Sequence, residues 1–410
     1  MLPEGGVCSP RGFRAAGVTA GLKPSGQPDL AVLFSEVPAQ AAGAFTSNLF
    51  AAAPVEWDRR VLRKERPVRA VVVNSGVANA CTGAKGAEDA RAMAAYAAEK
   101  LGVETDEVLV SSTGVIGEFL PMETIRHGID LGAAALSPEG SQAAARAIMT
   151  TDTVEKRVAV SFPLGETTIT IGAMTKGAGM IAPQMTLCQS RPRQATMLAY
   201  FTTDAAIHRE ALRQALEQAL ERSFNRIVVD GDTSTNDTML VLANGLAGNP
   251  AIQPGTPEQE AFAAALELCA VSLAKAMVMD GEGVTKFVEL QVSGTLDDQG
   301  ARQIAEAIAR SPLCKTAWYG ADPNWGRILC AAGYSRVPFK PTQVDLDFDG
   351  QPVVRSGLAA PGSSPEKLAE VLRKRSFQVS LSVGTGPGHF VLWTCDLSHD
   401  YVKINADYHT

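Results

Sequence analysis

The chain predicts a layered α/β fold, on three observations. Short β-branched runs alternate with amphipathic, alanine-rich helical stretches. The runs end in polar, glycine-bearing turns, and no repeat or low-complexity tract interrupts the alternation. Mixed elements of this kind stack in layers around a shared core. With 410 residues, 46% hydrophobic and 20% charged, the chain is long enough for one large body or two to three domains.

The elements follow in order. Val68 to Val73 is a β-branched run that meets a turn at Asn74-Ser75-Gly76. Ala87 to Leu101 places Met93, Ala97 and Leu101 four apart, the spacing of a helix face. Val108-Leu109-Val110 reads as a short strand feeding a Ser111-Ser112-Thr113-Gly114 turn. Met197 to Thr203 is an apolar strand, and Leu212, Leu216 and Leu220 mark the next helix face. Ile227-Val228-Val229 is a buried strand running into the polar loop Asp230 to Thr238. Glu258 to Met279 is a long helix that glycines stop at Asp280-Gly281-Glu282-Gly283. Gly384-Thr385-Gly386-Pro387-Gly388 is a turn between strands, without the spacing of a phosphate-binding loop. The last ten residues, Tyr401 to Thr410, alternate apolar and polar and predict an edge strand.

Composition excludes several classes. A net charge of −7 and a pI near 5.4 argue against nucleic-acid binding, which calls for a basic surface. Seven cysteines, at 8, 81, 188, 269, 314, 330 and 395, are scattered without a CxxC pair. That pattern is neither a disulfide framework nor a zinc site, and it points to free thiols in a reducing compartment. The start shows no basic segment leading into an apolar core, and no continuous apolar run reaches about 18 residues. The expectation is a cytoplasmic protein without a membrane partner. Five histidines never reach metal-ligand spacing, and Asp230-Gly231-Asp232 lacks the closing Glu of a calcium loop, so no metal is expected. That aspartate-rich loop reads instead as a structural loop near the site.

The most telling junction is the one between Lys176-Gly177-Ala178-Gly179 and Ala195-Thr196-Met197-Leu198. A threonine opening a strand is ordinarily no more than a β-favouring residue. If the chain is cut between Ala195 and Thr196, however, Thr196 carries both a hydroxyl nucleophile and a free α-amino group as its base. That amine has a reference pKa of about 7.7–8.0, so a useful fraction is neutral near pH 7. Ser112-Thr113-Gly114 admits two readings in the same way, an ordinary turn or a hydroxyl and flexible backbone aimed at an oxyanion.

Seven blocks in order resemble the ornithine acetyltransferase family, also called glutamate N-acetyltransferase, of arginine biosynthesis. They are Val73-Asn74-Ser75-Gly76 with Ala78 to Gly83, Ser112 to Gly117, Met149-Thr150-Thr151-Asp152-Thr153, Asp230 to Thr238, Asp280 to Gly283, Asp322 to Ile328, and Asp400 to Tyr408. The resemblance implies an αββα sandwich similar to the N-terminal-nucleophile hydrolases, built from two chain halves. Residues 1–195 would be the α chain and 196–410 the β chain, paired as α2β2. It implies Thr196 as nucleophile, with Thr113 and Gly114 as the oxyanion hole. It places Thr151 (or its neighbour Thr150), Lys176, Thr196, Glu282, Asn405 and Thr410 against the substrates, N-acetylornithine and glutamate. Lys176 would hold a carboxylate as a point charge, and Glu282 would face the ammonium of ornithine. No cofactor is implied, and acetyl-CoA is allowed as an acetyl donor.

Two departures stand out. Thr186 to Gln194 is inserted where the family runs from Met directly to Ala-Thr-Met-Leu, and Val77 replaces a usual Asn. Thr186 is a rival cut position, but the polar residues after it cannot make the buried strand. Two other readings remain open at this point. One is an aminopeptidase-type hydrolase of the same fold, which generally uses Ser. The other is a non-catalytic relative whose maturation the insertion blocks.

Overall fold

A computed structural model describes residues 1–2, 4–187 and 197–407 of the chain. The elements are β1 (Phe13–Val18), β2 (Leu30–Phe45), α1 (Ala53–Arg63), β3 (Val68–Val77), α2 (Gly83–Leu101), β4 (Val108–Val115), α3 (Met122–Ala134), α4 (Ser141–Ala147), β5 (Lys156–Leu164), β6 (Thr167–Lys176), β7 (Thr186–Leu187), β8 (Leu198–Thr203) and α5 (Arg209–Glu221). There follow β9 (Ile227–Val228), β10 (Thr238–Ala243), α6 (Pro257–Met279), β11 (Phe287–Gly294), α7 (Asp298–Ala309), α8 (Pro312–Tyr319), α9 (Trp325–Gly333), β12 (Asp345–Phe348), β13 (Gln351–Arg355), β14 (Leu358–Ala359), α10 (Pro365–Arg373), β15 (Ser376–Ser382), β16 (Gly386–Cys395) and α11 (His399–Asp407). The α/β class is as expected.

The chain forms two compact units, one of Met1–Asn225 with Asp232–Met277, the other of Arg226–Gly231 with Val278 through the last described residue, Asp407. This division differs from the halves 1–195 and 196–410, because β8, α5 and β10 of the second half complete the first unit.

The first unit is built on a sheet ordered β4-β3-β2-β10-β8-β6-β5, with β1 and β7 pairing β2. The 16-residue β2 shifts register against β3 between Phe34 and Ala39. Its first part pairs β1 and β3, and its last part pairs β10 and β7. β3 and β4 are buried on both faces through Val71, Val72, Val73, Leu109 and Val110, the near-continuous apolar run of an interior parallel pair. Helices α1 and α2 pack on β4, while α3 and α4 pack on β1 and β2. Met93 and Ala97 of α2, and Leu212, Leu216 and Leu220 of α5, are buried as their spacing predicts.

The second unit holds a sheet ordered β14-β13-β12-β15-β11-β16-β9. Helix α7 packs on β11 and β16 through Ile304, Ile308 and small residues between them.

Two expectations need correction. The expected turn at Ser111 to Gly114 is strand: β4 pairs in parallel with β3 from Ala70↔Val108 through Val77↔Val115. Polar residues sit inside it because their side chains bond one another, Ser112 Oγ donating to Asn74 Oδ1 at 2.6 Å. Of the expected edge strand Tyr401 to Thr410, the described part Tyr401–Asp407 lies in the helix α11. Tyr401 and Ile404, three apart, are half-buried on one face, a helical spacing that local alternation hid. Finally, α6 is long and apolar enough, by length and composition alone, to cross a bilayer. Its Phe262, Leu266, Cys269, Leu273 and Met277 are buried in the protein, the position of a core helix.

Candidate active site

In the first unit the end of β6 meets the end of β4. Lys176, the last residue of β6, is 5% exposed. Its Nζ donates to Thr113 Oγ1 at 3.2 Å and to Thr150 Oγ1 at 2.8 Å. Antiparallel pairing sets Lys176 opposite Leu198 at the start of β8. Thr113 and Lys176, predicted from distant segments, therefore come together. The threonine that Lys176 holds is Thr150, and Thr151 lies half-buried beside it.

Asp152 braces this cluster. Its Oδ1 accepts from Lys156 Nζ at 2.7 Å and from the Gly177 N–H at 2.7 Å, and its Oδ2 accepts from the Thr150 N–H at 3.1 Å. One carboxylate so fixes the residues on either side of the Lys176–Thr150 bond. Burial alone would raise the Asp152 pKa, but Lys156, Lys176 and the Gly177 amide outweigh it and hold it down at about 2. Sequence reasoning noted Asp152 only within a motif. Its partners Gly177 and Lys176 lie 25 and 24 positions away in sequence, beyond any local pattern.

Gly114 adopts φ 129° opposite Gly76. A Cβ there would lie 2.3 Å from the Gly76 carbonyl carbon, so only glycine fits on both counts. The polar loop before β10 fastens the surroundings. Asn236 Nδ2 donates to the Ala78 and Ser112 carbonyls at 2.6 and 2.8 Å, and the Thr46 N–H donates to the Asp237 carbonyl at 2.8 Å.

A cleft of about 440 Å³ borders the cluster, lined among others by Lys23, Gln27, Arg146, Thr150, Asp152 and Glu155. Lys23 is set by Asp29, which accepts the backbone N–H groups of Ala20, Gly21, Leu22 and Lys23. Burial, aided by Lys176 and opposed by Asp29 and Asp152, lowers the Lys23 pKa to about 8. Cationic side chains and hydroxyls around such a cleft suit a carboxylate ligand.

A second cluster lies in the other unit. Glu282, 9% exposed, accepts from Asn405 Nδ2 at 2.7 Å. Asn405 sits on α11, whose first turn is tied down by Ser398: its Oγ donates to the Gly283 carbonyl at 2.6 Å and accepts the Tyr401 N–H at 3.2 Å. Two predicted residues are thus paired. Ala195, Thr196 and Thr410 lie outside the described residues, as do residues 188–194 of the insertion. Its first two residues form β7 against Ala44 and Phe45 of β2. Met185, just before it, is pinned by Asn225, which accepts the Met185 N–H at 2.8 Å and donates to its carbonyl at 3.0 Å. Among the described residues no three His, Cys, Asp or Glu side chains converge as metal ligands.

The ArgJ family model matches residues 14–410. The arginine biosynthesis bifunctional protein ArgJ of Symbiobacterium thermophilum is 49% identical, over 99% of this chain and 99% of its own length. The protein of the same name from Thermosynechococcus vestitus is 46% identical, over 99% and 98%. Among solved structures, an ornithine acetyltransferase of Mycobacterium tuberculosis complexed with ornithine is 46% identical. It covers 45% of this chain and 98% of its own, with a TM-score of 0.43.

Proposed function

The chain belongs to the ArgJ family and is a glutamate N-acetyltransferase of arginine biosynthesis, and from that premise we propose that it works through a threonine freed by its own cleavage. A cut between Ala195 and Thr196 releases the α-amino group of Thr196. That amine takes the hydroxyl proton as Oγ attacks the acetyl carbonyl of N-acetylornithine. The Thr113 hydroxyl and the Gly114 N–H receive the developing oxyanion. Collapse breaks the amide bond, ornithine leaves with the proton, and the amine of glutamate then attacks acetyl-Thr196 in a second displacement. Lys176 with Thr150 or Thr151 takes a substrate carboxylate, and Glu282, set by Asn405, takes an ammonium; the resemblance adds Thr410. The word "bifunctional" in the relatives' names supports acetyl-CoA as a further donor to the same threonine, with no bound cofactor. We further propose an α2β2 assembly in the cytoplasm, a reducing setting that suits the free thiols.

One observation carries this reading. Lys176 stands opposite Leu198, two residues beyond Thr196, and bonds the threonine assigned to the oxyanion hole. Denaturing mass spectrometry tests it. Wild type should give fragments of 195 residues and of 215, which is 410 less 195, with acetyl trapped on the larger one after N-acetylornithine is added. Thr196→Ala should stay whole and inactive. A wild-type chain that remains whole while transferring acetyl refutes the mechanism.

A further inference from the structure

Between α4 and β5, residues 148–155 form neither helix nor strand, so the place of Thr150 depends on individual hydrogen bonds. Ser75 Oγ donates to the Ala147 carbonyl at 2.6 Å, just before this segment. Lys23 Nζ donates to the Met149 carbonyl at 2.7 Å, across 126 positions of sequence. The Thr150 N–H donates to Asp152 Oδ2 at 3.1 Å. The Met149 carbonyl and the Thr150 N–H belong to one peptide unit, which is therefore gripped at both of its polar groups. A peptide unit is planar and stiff, so pinning both groups fixes the direction in which the chain enters Thr150. The loop that presents Lys23 is itself anchored. Buried Asp29 gathers the N–H groups of Ala20 to Lys23, and Lys23 Nζ donates a second time, to the Pro28 carbonyl at 2.7 Å. The Asp29 carbonyl accepts the Ser75 N–H at 2.8 Å. Ser75 adjoins Gly76, the partner of Gly114 across β3 and β4. One loop thus ties the strand beside Gly114 to the peptide that carries Thr150.

We infer that Lys23 is a positioning residue for acetyl transfer: through the Met149 carbonyl it sets Thr150 where Lys176 and a substrate carboxylate can share it. The inference rests on the reading that Lys176 and Thr150 take that carboxylate. Lys23 suits the task chemically. An ammonium makes charge-assisted bonds to carbonyls, stronger than those of a neutral donor, and its two acceptors here come from both segments that must be joined. Without the amine, the 149–150 peptide keeps its hold on Asp152 but is free to turn about it, and the Thr150 hydroxyl swings away from Lys176. No bond to Lys23 forms or breaks in the reaction.

The test is a double-mutant cycle in the full-length protein, with Lys23→Met, Thr150→Val and the two combined, read by steady-state kinetics with N-acetylornithine and glutamate. Each single variant should raise KM for N-acetylornithine by about tenfold or more, with kcat nearly kept, as for lost ground-state binding. If Lys23 acts through Thr150, the double variant should be no worse than Thr150→Val alone, because the group that Lys23 sets is already gone. A lysine that only stabilised the fold, or met the substrate by itself, would instead multiply the two losses. Multiplied losses, or a wild-type KM in Lys23→Met, overturn the assignment. A wild-type KM in Thr150→Val alone removes Thr150 from the substrate; the carboxylate reading then fails, and the role of Lys23 falls with it. Should Lys23→Met not fold, Lys23→Gln, a shorter and neutral donor, takes its place in the cycle under the same criteria.

Discussion

At Gly114 a substitution meets two independent penalties, the φ of 129° and a Cβ 2.3 Å from Gly76. Gly114→Ala should therefore push β4 away from β3 and displace the Thr113 hydroxyl and the 114 amide together. Losing one oxyanion donor costs about 2.7–4 kcal/mol, so kcat should fall by about 10²-fold or more, measured against an unchanged cleavage pattern. Asp152 makes a different kind of prediction. Its pKa is depressed to about 2 in the folded protein. The stability it contributes is thus fully present above the unfolded value near 4 and is lost as pH falls through about 2. Asp152→Asn should destabilise the protein by about 3–5 kcal/mol at pH 7, because it removes the carboxylate of the buried pair with Lys156. Denaturant titrations should show that deficit narrowing between about pH 4 and pH 2. Residues of this type escaped the sequence reading for a physical reason. Asp152 and Asn236 act through partners brought near only by folding, such as the Asn236–Ser112 bond across 124 positions.

Among the elements, those read correctly announced themselves by one-sided burial. α2, α5 and α6 have apolar spacing that neighbouring sheets or helices satisfy, β9 is apolar throughout, and β3 and β8 carry the buried runs Ala70–Val73 and Leu198–Phe201. β4 was cut short because Ser111, Ser112 and Thr113 look like turn residues, yet the burial of Ser112 and Thr113 is offset by their bonds to Asn74 and Lys176. α11 was misread because a short helix with a narrow contact face shows two periods at once. That helix carries its own prediction. Asn405 holds Glu282 from α11, and removing a hydrogen bond to a charged group costs about 1.5–3 kcal/mol. Asn405→Ala should therefore raise KM for N-acetylornithine by about tenfold or more while sparing cleavage. Steady-state kinetics on the cleaved variant decides it, and an unchanged KM removes Asn405 from the site.

For the molecule as a whole, the layered α/β class was legible because it follows from alternating elements. The two compact units were not, since no linker marks them and the first unit takes strands from both ends of the 196 junction. β8 lies between β6, which precedes that junction, and β10, which follows it. Six residue pairs on each side bond it in place. Cleaved protein should accordingly elute at one size under native conditions and separate into the 195- and 215-residue pieces only in denaturant. Fragments that part on native size exclusion would contradict this.

The central place of β8 also sets the order of events in the life of the molecule. An ordinary N-terminus exists from the first moments of synthesis, before any sheet has formed. On the proposed cleavage, an amine released at Thr196 would have no such history: it would form in a chain whose β6 and β10 already flank the strand that follows it, with Lys176 opposite Leu198. The reactive group would then mark completed folding, and misfolded copies would lack it.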